Sequence, residues 1–180
     1  MSKVFFTSDL HFGHKNLCEG LRGMTAEESD ALIISNWNKV VSKRDIVYVL
    51  GDITMEKHNN IKDYISKLNG HIRIIGGNHD NVRCCHEYRE LGITVMGVLI
   101  YKNYICTHIP VHESQLEGFA GNIHGHIHKE GDIEGLGRYS PATLDPTKYY
   151  NVNTEFHSFT PIEFEQIKKE FAHGDTNISE

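Results

Sequence analysis

The sequence predicts an α/β fold: a mostly parallel sheet with helical crossovers, followed by a second half built from short strands. Three observations carry this. Over the first 80 residues, short apolar runs alternate with segments whose apolar residues recur at helical spacing. The apolar runs stop abruptly on Asp, Asn, His or Gly instead of fading into polar loop. Beyond residue 93 the helical spacing gives way to a hairpin-like run and short strand-and-turn pieces.

The first run, "VFFTS" (4–8), reads as a buried strand. "TAEE" (25–28) is a capping box, and behind it Leu32, Ile33, Trp37, Val40 and Val41 share a helical face. "DIVYVLGD" (45–52) is the second strand. Ile61, Ile65 and Leu68 then mark a helix that Asn69-Gly70 stops. "HIRIIGG" (71–77) is the third strand, and "CHEYREL" (85–91) a third helix. "ITVMGVLIYKNYICTH" (93–108) reads as two strands around the turn "YKNY", and "GNIHGHIH" and "YYNVNTEF" as further short strands. Residues 129–148, rich in Gly, Asp and Pro, read as a long surface loop. "PIEFEQIKKEFA" (161–172) reads as a strand running into a helix, and 173–180 as a polar tail. No repeat or linker interrupts 1–172, so one domain is expected.

Composition narrows the function classes. The chain has 180 residues, 39% apolar, with a formal net charge of −6. That balance argues against a dedicated nucleic-acid binder, and no stable nucleic-acid partner is expected. No apolar run is long enough to span a membrane, and Asp9, His11 and His14 interrupt the N-terminus where a signal peptide would be continuously apolar. A cytoplasmic protein with no membrane partner is expected, its oligomeric state left open. Cys18, Cys84, Cys85 and Cys106 show no CxxC spacing and read as small buried apolar residues rather than disulfides or zinc ligands.

Thirteen residues are His, and several stand at run ends. The first strand delivers Asp9 and His11 in "SDLH", the second Asp52 in "LGD", and the third Asn78 and His79 in "GNHD". His108 follows in "CTHIP", then His126 and His128 in "GHIH". In a parallel sheet, ligands collect beyond the C-terminal strand ends. In extended chain, i and i+2 point the same way, so Asp9 with His11, and His126 with His128, could each grip one ion. Carboxylate, imidazole and amide oxygen suit divalent Mn, Fe, Ni or Zn. "GNHD" alone is ordinary turn chemistry; among the other strand-end residues it reads as part of a site.

The ordered set "D-x-H", "GD", "GNHD", "H" and "GHxH" resembles the calcineurin-like metallophosphoesterase superfamily. The match runs from Asp9 to His128. "FTSDLHFGHKNL", "LIISNWN" and "NVNTEFHSFTPIEFEQI" further resemble small bacterial and phage-encoded single-domain members. Where those tend to have Arg-Pro-Phe, this chain has Arg22-Gly23-Met24. The resemblance implies a four-layer sandwich, two packed mixed sheets flanked by helices. It implies Asp9, His11 and His128 on one metal ion, Asn78, His108 and His126 on a second, and Asp52 bridging both. It further implies hydrolysis of a small phosphodiester or phosphomonoester by a metal-bridging hydroxide, with Mn the favoured metal. His79 would then be the general acid, with Asp80 orienting it.

Around that centre, Asn16 and Arg22 are candidates to hold phosphate oxygens, Arg for its forked donors. His14 and His124 are candidates to contact phosphate or a ligand carboxylate, with plain packing as the alternative. Asn153 and Glu155 are left out of the site. The remaining histidines are read as surface or packing residues. A binding module that keeps the metals without catalysis is the competing reading; the filled ligand set and the His at position 79 favour an enzyme.

Overall fold

A computed structural model describes residues 2–54, 61–129 and 144–173. Two mixed sheets pack face to face. The first has five strands in the order β4-β3-β2-β1-β9, the second four in the order β5-β6-β7-β8. In the first sheet β1 (Val4–Thr7), β2 (Ile46–Val49), β3 (His71–Ile75) and β4 (Thr94–Met96) run parallel, and β9 (Ile162–Glu163) runs antiparallel to β1. In the second, β6 (Tyr104–Cys106), β7 (Gly121–His124) and β8 (Tyr149–Asn151) run parallel, and β5 (Leu99–Tyr101) is antiparallel to β6.

Strand alternation sends residues to two cores. Phe5, Val47, Val49 and Ile74 face the crossover helices, where they meet Ile33, Trp37 and Tyr88. Phe6, Tyr48, Leu50 and Ile75 face the second sheet and pack on Tyr104, Cys106, Ile123 and Val152. With both faces covered, these strands read as continuous apolar runs. The helices are α2 (Ala26–Val40), α3 (Ile61–Ile65) and α4 (Val82–Glu90). The capping box of α2 forms as expected: Thr25 Oγ1 accepts from Glu28 N, and Glu28 accepts from Thr25 N. A third cluster of Ile105, Leu116 and Tyr149 lies under a 3-10 turn, Glu113–Leu116, so the fourth layer is thin here. The last helix, α5 (Phe164–His173), continues directly from β9 as the sequence suggested.

Several boundaries differ from the sequence reading. The run 93–108 holds three strands, not two. β4 closes the α4 crossover and joins the first sheet, Gly97 and Val98 pass between sheets, and only β5 and β6 form the hairpin. Its turn, Lys102-Asn103, is left-handed at both positions (φ 48° and 72°). α3 stops at Ile65 and tightens into 3-10 bonds that still bring Leu68 to the core. α4 starts earlier than expected because the Asn81 side chain caps it, accepting from Arg83 N and Cys84 N. A short helix α1 (Lys15–Leu17) and a π-helical turn (Cys18–Arg22) were not anticipated. Gly23 closes that turn at φ 66° and donates to Cys18 O. A proline could neither adopt that φ nor donate that bond, so the local departure from Arg-Pro-Phe changes the backbone.

The cysteines are free; Cys18, Cys84 and Cys106 are buried and Cys85 is half-buried. No helix among the described residues is long and apolar enough to cross a membrane. The expected loop 129–148 lies mostly outside the described residues, as do 174–180 of the expected tail.

Candidate metal centre

The strand-end loops are laced together by backbone bonds. Leu50 N donates to Thr7 O, Asp9 N to Gly51 O, His11 N to Asp52 O and Phe12 N to Ile53 O. Ser8 N donates to Val152 O and Thr154 N to Ser8 O, which joins the first sheet to the second. Gly125 N donates to His108 O, tying the ends of β6 and β7. The C-terminal ends of β1, β2, β3, β6 and β7 therefore meet at one seam, as ligand sites in such sheets do.

Two groups of ligand-type side chains converge there: Asp9, His11 and His128, and Asp52, His108 and His126. Within each group the ligand atoms lie within 4.8 Å of one another. His126 and His128 therefore part company, against the reading that alternate residues of one extended strand share an ion. The reason is backbone shape. Asp9, His11, Asp52 and His126 all sit in the left-handed region (φ 56°, 48°, 54° and 69°), so the chain at the seam is kinked rather than extended.

Asp9 is fully buried. Its Oδ2 accepts from Ser8 Oγ and from His126 N (2.9 Å), while Oδ1 has no hydrogen-bond partner among the described residues. Both ring nitrogens of buried His11 are likewise unpartnered. His11 Nε2 lies 3.8 Å from both Asp9 Oδ1 and Asp52 Oδ2, and His128 Nε2 lies 3.6 Å from Asp9 Oδ1. Burial holds the His11 pKa well below 6.5, so the ring is neutral and its lone pair available. Buried polar atoms are normally paired, and here orphaned Asp9 Oδ1 faces orphaned His11 Nε2. A divalent cation fits that arrangement: the converging atoms are N and O donors, Asp9 Oδ1 and His11 Nε2 are otherwise unsatisfied, and burial without a cation pushes the Asp9 carboxyl up.

The second group is set by His108. Its Nδ1 donates to Leu50 O (2.7 Å), which leaves Nε2 directed at Asp52 Oδ2 (3.3 Å) and Asn78 Oδ1 (2.8 Å). Burial pushes Asp52 up, but the His108 hydrogen bond and charge, with the hydrogen bond from His79 N, outweigh it and bring the carboxyl to about 2. Burial lowers His108, and the Asp52 hydrogen bond with the Asp9 and Asp52 charges raises it to about 9. The place between Asp52 and His108 thus favours positive charge. Asp52 Oδ2 faces His11 on one side and His108 on the other, the position a shared ligand needs.

His79 is at the rim, with its side chain 39% exposed and Nε2 3.8 Å from Asp52 Oδ2; its backbone N donates to Asp52 Oδ1 (3.0 Å). Asp80 does not orient it. The buried Asp80 carboxylate accepts from Asp52 N, Gly77 N and Tyr88 Oη (all 2.9 Å), so it fixes the β2 and β3 ends to each other and to α4. Arg22 does not face a phosphate. Its guanidinium is buried on Asp9 O, Leu10 O, Ser29 Oγ and Glu155. His124 is buried below the centre, with Nδ1 donating to Gly125 O, and burial lowers its pKa to about 4. His14 stays near the mouth, half-buried, its ring 5.6 Å from that of His11 and its Nδ1 accepting from Leu17 N. Asn16 is exposed on α1.

Sequence reasoning passed over Glu155 and Ser8. Glu155 accepts from His128 Nδ1 at 2.9 and 3.0 Å. It stands 27 residues from its partner, so no local spacing could have shown it.

No family model matches the chain. The uncharacterised protein MJ1445 of Methanocaldococcus jannaschii is 31% identical over 175 residues, covering 94% of this chain and 91% of that protein. The gene 66 protein of Mycobacterium phage L5 is 44% identical over 85 residues, 44% of this chain and 41% of that protein. A protein of unknown function from Aquifex aeolicus, AQ665, shares the fold at a TM-score of 0.72 and 22% identity, covering 94% of this chain and 99% of that one. Similarity over nearly its whole length places this chain in one family with the archaeal protein, and its paired sheets with two groups of ligand-type side chains at their seam are the arrangement that the calcineurin-like resemblance implies.

Proposed function

We propose that the chain is a dinuclear phosphoesterase that hydrolyses small phosphodiesters or phosphomonoesters in the cytoplasm. The observation that carries this is the pair of converged groups around Asp52, with Asp9 Oδ1 and both His11 nitrogens buried and unpartnered among the described residues. Asp9, His11 and His128 would hold one divalent ion, and Asn78, His108 and His126 the other, with Asp52 shared. Two such ions supply an activated water and neutralise charge on the phosphoryl oxygens, and Mn suits this N and O donor set.

The chain's own residues do the rest. The seam brings two carboxylates and five imidazoles to one mouth, so an anionic ester can be held in a protein whose net charge is −6. His79 stands exposed at that mouth on a loop anchored to Asp52 Oδ1, and would deliver a proton from Nε2 to the departing alkoxide. His14 flanks it, with Nδ1 engaged by Leu17 N, which leaves Nε2–H as a donor for an ester oxygen.

The test is a panel of phosphate esters, including p-nitrophenyl mono- and diesters and cyclic nucleotides, assayed with Mn, Ni, Fe and Zn after stringent chelation. Chelation is expected to abolish turnover and Mn to restore it. Turnover that survives chelation overturns the mechanism. A chain that takes up two ions and turns over nothing in the panel is the binding module instead.

A further inference from the structure

Behind His128 lies a buried pair that the reaction itself does not use. Arg22 and Glu155 are far apart in the chain: one is the last residue of the π-helical turn, and the other the second of the 3-10 turn Thr154–His157. Their side chains are 1% and 4% exposed, and Arg22 Nε donates to Glu155 Oε1 at 3.1 Å. The same guanidinium donates through Nη2 to Asp9 O (2.8 Å) and through Nη1 to Leu10 O (3.0 Å). The same carboxylate accepts from His128 Nδ1. One ion pair therefore touches the backbone of one ligand and the ring of another, both in the Asp9, His11 and His128 group.

In the other group Asp80 clamps the Asp52 amide, but among the described residues no buried ion pair from outside the group reaches a ligand ring. His108 is oriented by a backbone carbonyl, Leu50 O, while His126 is half-buried and Asn78 exposed. We propose that Arg22 and Glu155 are a positioning pair that raises the metal affinity of the Asp9–His11–His128 pocket and leaves the second pocket looser. The inference rests on the two-metal reading above. A carboxylate accepts only, so Nδ1 of His128 must carry the proton and Nε2 presents its lone pair towards Asp9 Oδ1. The negative charge also makes the imidazole a stronger base, as partners of metal-bound His generally do. Arg22 keeps the carboxylate in place and holds Asp9 O in the left-handed bend.

A merely structural ion pair would support both pockets alike, and that is the distinction to measure. Mn and Zn are titrated into chelator-treated protein by calorimetry, beside thermal melts. The wild-type chain is expected to bind in two steps, and His128→Ala identifies the step that belongs to its pocket. Glu155→Ala is expected to weaken that same step by about 10–100-fold, the range for losing such a partner, and to leave the other within about threefold. Glu155→Gln keeps an oxygen acceptor and the packing, and is expected to recover most of the affinity. Imidazole 15N shifts of His128 should report a single tautomer, protonated at Nδ1, in the wild type and a mixture in Glu155→Ala. If Glu155→Ala binds both ions normally, or both steps weaken together with the melting temperature, the inference fails while the two-metal reading stands. A wild-type chain that binds no ion overturns that reading first.

Discussion

One methyl group added at Gly77 should disable the centre. A Cβ built there lies 2.2 Å from Asp52 Oδ1 and 2.7 Å from Asp52 N. An ordinary carbon–oxygen contact is about 3.3 Å or more, so the carboxylate must retreat by roughly 1 Å. It has little freedom to do so. Oδ1 is held by His79 N, Oδ2 faces His108, and the Asp52 amide is clamped by Asp80. Displacement by about 1 Å in a positioned catalytic group can cost about 100-fold in rate. Gly77→Ala should therefore lower turnover by at least that factor and lose one or both ions, measured by elemental analysis of the purified protein. Overpacking should also cost about 1–3 kcal/mol of stability. Gly92→Ala separates the two effects: Gly92 has φ 76° with nothing within 4 Å of an added Cβ. It should lose a similar stability, about 1–2 kcal/mol for a left-handed L-residue, with metal content and turnover intact. A Gly77→Ala protein with two ions and turnover within threefold of wild type would refute the placement of Asp52 at the centre.

Asp52→Asn removes the one carboxylate that faces both groups, so metal content should fall further than in His126→Ala; if the Asp52→Asn variant keeps two ions, Asp52 is not shared. His79→Ala should keep its ions, because Asn78 and not His79 faces His108, and should lose about 10²–10⁴-fold in turnover of alkyl phosphates. p-Nitrophenyl esters, whose leaving group needs no proton, should suffer less; equal loss on both would point to charge stabilisation instead.

The α/β alternation was legible because each buried strand here is a short apolar run covered on both faces, and the crossover helices keep their period. Glu28 three residues after Thr25 was a local signal and gave the α2 start. The sheet change at Gly97 was not legible, since a β-run carries no mark of which sheet it will join. In the site, residue types at run ends were readable, and of the two i, i+2 pairings Asp9 with His11 holds while His126 with His128 fails. The left-handed kink at His126 turns its side chain away from His128 in a way that period-2 reasoning cannot foresee. Arg22 misled for a related reason. A loop arginine near a suspected phosphate site suggests an outward fork, but the unanticipated π-helical turn folds it inward onto Asp9 O and Glu155.

Those kinks bear on how the centre is held. Among the described residues, eight non-glycine positions have positive φ, and four of them are Asp9, His11, Asp52 and His126. Each such residue costs on the order of 1–3 kcal/mol unless its surroundings over-determine it. Here they do. Asp9 N and His11 N are bonded to Gly51 O and Asp52 O, Asp52 N to Asp80, and His126 N to Asp9 Oδ2. Each strained residue is thus held by a bond to another strand-end loop, and Asp9 and Asp52 are on both sides of that exchange. The consequence is mutual dependence: releasing one loop end frees its neighbours to relax towards ordinary φ. Asp80 holds this set together without belonging to either ligand group: its carboxylate reaches Asp52 N, Gly77 N and Tyr88 Oη. The Asp that closes "GNHD" is therefore better understood as the clamp on the Asp52 bend than as a partner of His79.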